Sequence, residues 1–342
     1  MKARSWMAVI TIAALVSAPL SFAAAEDLGI FELVRASNVS FDETTAALDA
    51  ALATSELQLH ATHDVRVPDS MHKARVYVLT SPAYTDAARN ESPRTVSAQV
   101  LRLAVYTSGD EQTTYVNMAN PVAHAMVYYA DSSNYDALVA AAGDAAVALR
   151  QLATAVPGDA ASQQLEPTRS EKQYNKYNGD GPAKMMAKFR NFENSQLEIL
   201  EDSADNFDAV VGKVKAALEA SSVSDAEDTT GWETVAVIPL RDDAVYIGVT
   251  NPYIEDRMVR INSRFRKDGK SDKSPYPGVD HVSALPTDIL VVKDASKTRV
   301  LHYGQMWRMQ LYFWDSGYRA FTANVGVPSA IAKSIEATIA GD

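Results

Sequence analysis

Apolar and polar positions alternate along this chain at two periods, and the switches between them mark its elements. Residues 31–39 read as a strand, closed by Ser40-Phe-Asp-Glu43. That tetrapeptide is a capping-box pattern, in which a hydroxyl and a carboxylate satisfy the free N–H groups of a new helix. Phe41, Leu48, Ala51 and Leu52 give this helix one apolar side. Leu57 to Val65 and Arg75 to Thr80 alternate as strands, and Ser81-Pro82 ends the second. Val96 to Tyr106 is predicted as a longer strand with Val96, Ala98 and Val100 inward. It turns at Ser108-Gly109-Asp110 and returns through Thr113 to Met118. Asn120-Pro121 opens a helical region, and the alanine-rich run from Tyr135 to Ala155 predicts a long helix that Pro157-Gly158 stops.

The stretch through Phe192 is polar and broken by Pro167, Gly179, Gly181 and Pro182, so it is expected as a connector with one short helix at Ala183 to Arg190. The pattern then starts again. Leu197 to Leu200 predicts a strand, and Asn206 is expected to cap a helix carrying Phe207, Val210, Val211, Val214, Ala217 and Leu218 at helical spacing. Trp232 to Leu240 and Val245 to Thr250 follow as strands. Asn251-Pro252 begins a basic helix to about Phe265, and a Gly- and Pro-rich loop spans Asp268 to Pro286. Asp288 to Lys293 and Thr298 to about Trp314 are expected as a final hairpin, and Ser329 to Ile339 as the last helix.

Specific residues recur with the pattern. Laid without gaps on Thr114–Ser132, the stretch Thr298–Ser316 matches at Thr114/Thr298, Val116/Val300, Tyr128/Tyr312, Asp131/Asp315 and Ser132/Ser316. Upstream and in the same order, Thr80-Ser-Pro82 with Asp86 mirrors Thr250-Asn-Pro252 with Asp256. Phe41-Asp42 with Ala50-Ala51-Leu52 mirrors Phe207-Asp208 with Ala216-Ala217-Leu218. The fold class expected is therefore α+β. It comprises two tandem repeats of a strand-helix-strands-helix layer, a mostly antiparallel sheet with helices on one face. The expected divisions are a signal peptide at 1–25, a first repeat at 28–156, a connector at 157–194 and a second repeat at 195–340.

Composition narrows the function. The 342 residues are 47% hydrophobic and 22% charged, as in globular proteins. A formal charge of −11 argues against nucleic-acid binding, which needs Lys and Arg to neutralise phosphates. The absence of cysteine excludes disulfides, thiolate metal sites, covalent c-type haem and a cysteine nucleophile. Lys2 and Arg4, the short apolar run Met7 to Val16, Pro19 and Ala23-Ala24-Ala25 form a secretory signal, so a periplasmic or secreted protein cleaved near Ala25 is expected, with no transmembrane anchor after processing. Cleavage would take the charge to −13, since the segment holds two basic residues and no acidic one.

A strand ending in Thr250-Asn251-Pro252-Tyr253, a helix, then Leu285-Pro286-Thr287-Asp288-Ile289 and Val291-Val292-Lys293, resembles the domain-of-unknown-function family 302. The first copy matches through Phe41-Asp42, Ser81-Pro82 and Val100 to Tyr106. The resemblance implies a saddle-like sheet-and-helix layer similar to TATA-binding protein, and it leaves activity open. Many members carry cysteine after the Leu-Pro proline; Thr287 stands there in this chain.

Among motifs that could carry chemistry, His60 and His63 have zinc-like spacing for a helix, but a strand sends them to opposite faces. Met306 and Met309, read on a strand, are likewise separated, and core packing against Trp307, Tyr312 and Trp314 is the expectation. Asn178-Gly-Asp-Gly181 lacks the carboxylates of a calcium loop. No cofactor or metal is expected, and no nucleophile elbow or phosphate loop occurs. Arg257, Arg260 and Arg264 share one helix face, with guanidinium forks suited to carboxylate, phosphate or sulfate. The bland alternative is a solvated face paired with local carboxylates. The site expected is thus Arg257, Arg260 and Arg264 for an anion, with Tyr253, His281, Trp307 and Arg308 as pocket wall. The function expected is binding of a small anionic or amphipathic ligand rather than catalysis. The alternatives are an envelope protein-interaction module, or a hydrolase or redox accessory using His281 with a carboxylate such as Asp280.

Overall fold

A computed structural model describes residues 27–108, 113–176, 196–221, 231–265, 267–268, 272–273 and 277–341, without the side chains of 262–273. Residues 1–26 with the expected signal peptide, the turn at Gly109-Asp110, the motif at 178–181 and the short helix expected at 183–190 lie outside the described residues.

The first half begins with strand β1 (Leu28–Ser37) and helix α1 (Phe41–Leu52). The capping box at its start is formed: Glu43 N–H donates to Ser40 Oγ, and Ser40 N–H to Glu43 Oε2, 3.0 Å. Strands β2 (Gln58–Val65) and β3 (Ala74–Thr80) follow, then the short helix α2 (Pro82–Ala87). Residues 93–99 form a 3-10 turn, so the strand expected from Val96 begins only at Val100. Pro93 fixes the backbone at its first position and Ser92 Oγ accepts from Arg94 N–H, which is helix-start chemistry rather than strand chemistry. Val96 and Ala98 are buried, in a turn that packs both on Pro121–Tyr128 of its own half and on strands of the other half. Strands β4 (Val100–Thr107) and β5 (Thr114–Ala119) form the hairpin, and helices α3 (Pro121–Tyr128) and α4 (Tyr135–Ala153) close the half.

The expected connector is not structureless. Asp159–Arg169 is an eleven-residue strand, β6, which pairs antiparallel with β1, and α5 (Glu171–Asn175) follows it. Most of β6 is exposed or half-buried at the sheet edge, so it carries little hydrophobic alternation to read.

The second half runs β7 (Gln196–Ser203), α6 (Phe207–Ala220), β8 (Glu233–Arg241), β9 (Ala244–Thr250) and α7 (Pro252–Phe265). Two-residue strands β10 (Lys267–Asp268) and β11 (Asp272–Lys273) pair with each other. A 3-10 turn at Val279–Ala284 leads to β12 (Thr287–Asp294) and β13 (Lys297–Tyr303). There the expected hairpin ends early. Gln305–Phe313 is a helix, α8, followed by α9 (Gly317–Ala323) and α10 (Val327–Ala340). Asn206 precedes α6 but makes no capping bond; its amide donates to Asp202 Oδ1, 3.0 Å.

Both sheets are antiparallel throughout and share one strand order. The first runs β2-β3-β4-β5-β1, extended by β6, and the second β8-β9-β12-β13-β7. Irregularities recur too: a bulge between Leu33 and Arg35 on β1 has its counterpart between Glu198 and Leu200 on β7, and one between Leu59 and Ala61 on β2 has its counterpart between Thr234 and Ala236 on β8. Bulges re-aim strands at defined places, so sharing two of them marks a common plan. The 3-10 turns carry the same tripeptide, Val96-Ser97-Ala98 and Val282-Ser283-Ala284.

Each sheet is covered by helices on one face. In the second half, Val245, Ile247, Val249, Ile289, Val291 and Val300 pack against α6 and α10. The opposite face, with Tyr246, Leu290, Val292, Leu301 and Tyr303, joins the first half in one continuous core. The 3-10 turns cross between halves. Arg94 carbonyl accepts from Tyr303 Oη (3.2 Å) and Gln196 Nε2 (2.9 Å), while Asp280 carbonyl accepts from Asn117 Nδ2 (2.5 Å). At the rim, Glu255, fully buried, accepts from Thr250 Oγ1 and Arg66 N–H and pairs with His63 Nε2 at 2.6 Å. Arg169, at the end of β6, donates to the carbonyls of Gln310 (2.9 Å) and Leu311 (3.2 Å) on α8. Among the described residues, no helix is long and apolar enough to cross a membrane.

Candidate functional site

A cleft of about 570 Å3, counting its open mouth, lies in the second half between α7, α8 and α10. Helix α7 contributes Ile254, Arg257, Met258 and Ile261, and α8 contributes Gln305, Arg308, Met309 and Phe313. The start of α10 gives Val327, Pro328 and Ile331. The 3-10 turn and the start of β12 supply Ala284, Leu285 and Thr287. Ten of these fourteen side chains are apolar, and the two charged ones are both arginines. Thr287, where the family resemblance leads one to expect cysteine, is part of the wall. Gly248 sits beneath it: a Cβ there would come within 2.5 Å of Pro286 Cγ, so the Leu285-Pro286 corner can settle on β9 only over glycine.

Arg308 is nearly buried and is held by bonds from both terminal nitrogens. Nη1 reaches Asp288 Oδ2 at 3.3 Å, and Nη2 donates to Ala284 carbonyl at 2.8 Å. Its guanidinium also lies over the Tyr312 ring, 5.3 Å from the centroid. Asp288 is fully buried and is shared: Arg102 Nη2 donates to its Oδ1 at 2.6 Å, as does Tyr246 Oη at 2.8 Å. Two buried guanidiniums thus meet one carboxylate. His124 adds no charge, because burial, reinforced by Arg102 and Arg308, pushes its pKa well below the ordinary value. Its neutral Nε2 accepts from Tyr312 Oη, 2.9 Å, while Tyr312 Oη accepts from Arg102 Nη1. The cluster of Arg102, Arg308, Asp288 and His124 carries one net positive charge.

Arg257 is exposed at the mouth. Its guanidinium lies over the Tyr253 ring, 5.1 Å from the centroid, and among the described residues it pairs with no carboxylate. Arg260 differs: its Nε meets Asp256 Oδ1 at 2.6 Å and its Nη2 meets Asp69 Oδ2 at 3.2 Å. The shared helix face therefore divides, with Arg260 neutralised by carboxylates and Arg257 left to the cleft. The Arg264 side chain lies outside the described residues.

The other expected wall residues separate. Trp307 is buried against Tyr128 and Tyr303, on the side of α8 away from the cleft lining. His281 is buried between Asp280 Oδ1 (3.3 Å) and Asp315 (3.2 Å), with Phe31 and Phe313 against its ring. Burial works against its charge, but Asp315 and Asp280 outweigh it and raise the pKa. It is not among the lining residues, though Phe313, stacked on its ring, is. On a helix, Met306 and Met309 take a different geometry from the strand expectation, and Met309 lines the cleft. His60 Nε2 meets Thr80 Oγ1, and His63 meets Glu255, so the two rings have separate partners.

Among the described residues, the corresponding helices of the first half are closed on each other. Counting from Thr80 and Thr250, Tyr84 corresponds to Ile254, and through the Thr114/Thr298 match Tyr129 corresponds to Phe313. Tyr84 and Tyr129 are both buried, and α2 packs directly on α4. Their counterparts α7 and α10 instead form two sides of the cleft.

Neither a protein-family model nor a curated protein matches the chain. Among solved structures, it is similar to the crystal structure of an uncharacterized conserved protein, DUF302, from Bacillus stearothermophilus. The match has 16% identity and a TM-score of 0.31, covering 37% of this chain and 98% of that one.

Proposed function

We propose that this is an exported ligand-binding protein that holds a small anionic or amphipathic molecule in the cleft between α7, α8 and α10. The observation that carries this reading is the pairing of Arg257 and Arg308 on the wall of an otherwise apolar cleft. Apolar concavities with a few placed polar groups are the usual form of small-molecule sites. The contrast with the first half supports the same reading, since two buried tyrosines stand where the cleft opens. Export rests on the charged start, short apolar run and small-residue site before Glu26. We further infer that residues 28–156 and 195–340 are two copies of the family-302 domain, on the shared strand order and the Thr-x-Pro motifs.

The interaction-module reading has less behind it, because the large exposed apolar side chains are scattered over separate elements, among them Leu59, Met71, Val147 and Tyr318. The hydrolase reading is weakened by the burial of His281 between two carboxylates. The deciding experiment is native mass spectrometry of protein purified from its own periplasm, beside Ile254→Tyr, which puts the first half's tyrosine into the cleft. A co-purifying small molecule present on wild type and lost from the folded variant supports the proposal. Equal occupancy of both overturns it. N-terminal sequencing should begin within a few residues of Glu26.

A further inference from the structure

The cleft's charge and lining narrow the ligand class, an inference that rests on the ligand-binding reading above. The buried cluster holds two guanidiniums against one carboxylate and leaves one positive charge without a counter-charge among its members. Buried charge is costly unless paired, so this arrangement favours a bound anion carrying one negative charge. Arg308 uses both terminal nitrogens on protein partners, and among the described residues its Nε has none. Arg257 offers a full fork at the mouth. The remaining wall is mainly aliphatic and thioether, with Met258, Ile261, Met309 and Ile331 prominent beside the Phe313 ring and the polar Thr287 and Gln305. Methionine walls adapt to flexible chains, and no ring-shaped slot or array of hydrogen-bond donors is present among these side chains to select a rigid polar ligand.

We propose that the cleft takes a single-chain amphiphile with a monoanionic headgroup, an acyl carboxylate, held by Arg257 and Arg308 with its chain along the methionine and isoleucine wall. The headgroup supplies the missing counter-charge, and the chain buries the apolar wall.

The test is calorimetry on the full mature protein with decanoate, decanol and acetate, each below its aggregation concentration. The variants are Arg257→Gln and Ile254→Tyr, with folding checked by circular dichroism. Decanoate should bind at least tenfold more tightly than decanol or acetate. Arg257→Gln should weaken decanoate by about tenfold to a hundredfold, the range of one charge-assisted hydrogen bond. Ile254→Tyr should abolish binding while leaving the fold intact. Decanol binding as tightly as decanoate would overturn the anionic class and leave the ligand-binding reading standing. Acetate binding as tightly would overturn the acyl class alone. Undiminished decanoate binding by folded Ile254→Tyr would overturn both readings, because the chain would then be held elsewhere. No decanoate binding to wild type would overturn the acyl class, with the native-mass experiment then deciding the broader reading.

Discussion

Arg102 and Asp288 are counterparts that meet. Arg102 is paired in its sheet with Val78, two residues before Thr80, and Asp288 with Gly248, two residues before Thr250. Since Thr80 and Thr250 correspond, one position of the shared plan holds a guanidinium in the first half and a carboxylate in the second, 2.6 Å apart. The 3-10 turns show the same divergence, with Arg94 standing where the other half has Asp280. Two copies of either half packed in this way would bring like charges together in a buried setting. The halves are fitted to each other and not to themselves.

That sharing makes the two partners unequal under mutation. Asp288→Asn leaves two buried guanidiniums facing no charge and should destabilise by about 3 to 5 kcal/mol, the cost of breaking a buried pair. Arg102→Met should cost clearly less, because Arg308 still reaches Asp288. Urea denaturation measures both. A larger loss for Arg102→Met would show that Asp288 is not the common counter-charge.

The histidines should titrate in opposite senses. His281 is raised in the fold, so its contribution is complete below the unfolded value near 6.5 and is lost as pH rises through the folded value. His124 is pushed down, so the unfolded chain takes a proton the folded ring refuses, and stability falls as pH drops through 6.5. NMR titration of ring protons should give His281 a midpoint above 6.5 that falls in Asp315→Asn, and leave His124 neutral well below 6.5. A His281 midpoint at or below 6.5 contradicts the assignment.

Helices α1 and α6 begin at corresponding places but are capped differently. Ser40→Ala removes a formed capping box and should cost about 1 kcal/mol. Asn206→Ala removes no cap and should lie within about 0.5 kcal/mol of wild type. Thermal unfolding of the two variants compares them directly, and equal losses would count against the difference.

Arg169 ties the chain between the halves to α8. Its buried guanidinium satisfies two carbonyls near the end of that helix, where the last four have no partner within the helix. Arg169→Met should speed amide exchange selectively in α8, which carries Arg308 and Met309 of the cleft. Exchange unchanged in α8 would leave Arg169 without this anchoring role.

Elements with a start signal were legible. The Ser40 box, Asn120-Pro121 and Asn251-Pro252 each announce a helix, and each helix is there. Helix α8 announces nothing: Gly304 stands before it without a capping side chain, and its aromatic run continues from β13. The match of Thr298–Ser316 to Thr114–Ser132 nevertheless lays Gln305 on Pro121, so the internal repeat already implied the helix that local pattern hid. Val96-Ser97-Ala98 and Val282-Ser283-Ala284 do not stand out by local pattern, because one runs directly into a strand and the other follows a Gly- and Pro-rich stretch. For the site, helix spacing groups Arg257 with Arg260, and what separates them is Asp256, one turn before Arg260 and local in sequence, together with Asp69, which lies far away in it. Ile254, Met258 and Phe313 were invisible as a lining because the second wall, α8, was expected as a strand.

The tyrosine-filled first half and the open second half divide two duties that pull against each other. A void in a core weakens a fold, and a small unit standing alone has little surplus to absorb it. Here the hollowed unit shares a continuous core with a sibling whose corresponding helices, among the described residues, pack on each other. On the binding reading proposed above, substitutions at lining residues such as Ile254 and Met309 should therefore cost this chain less than the same void would cost a small unit standing alone.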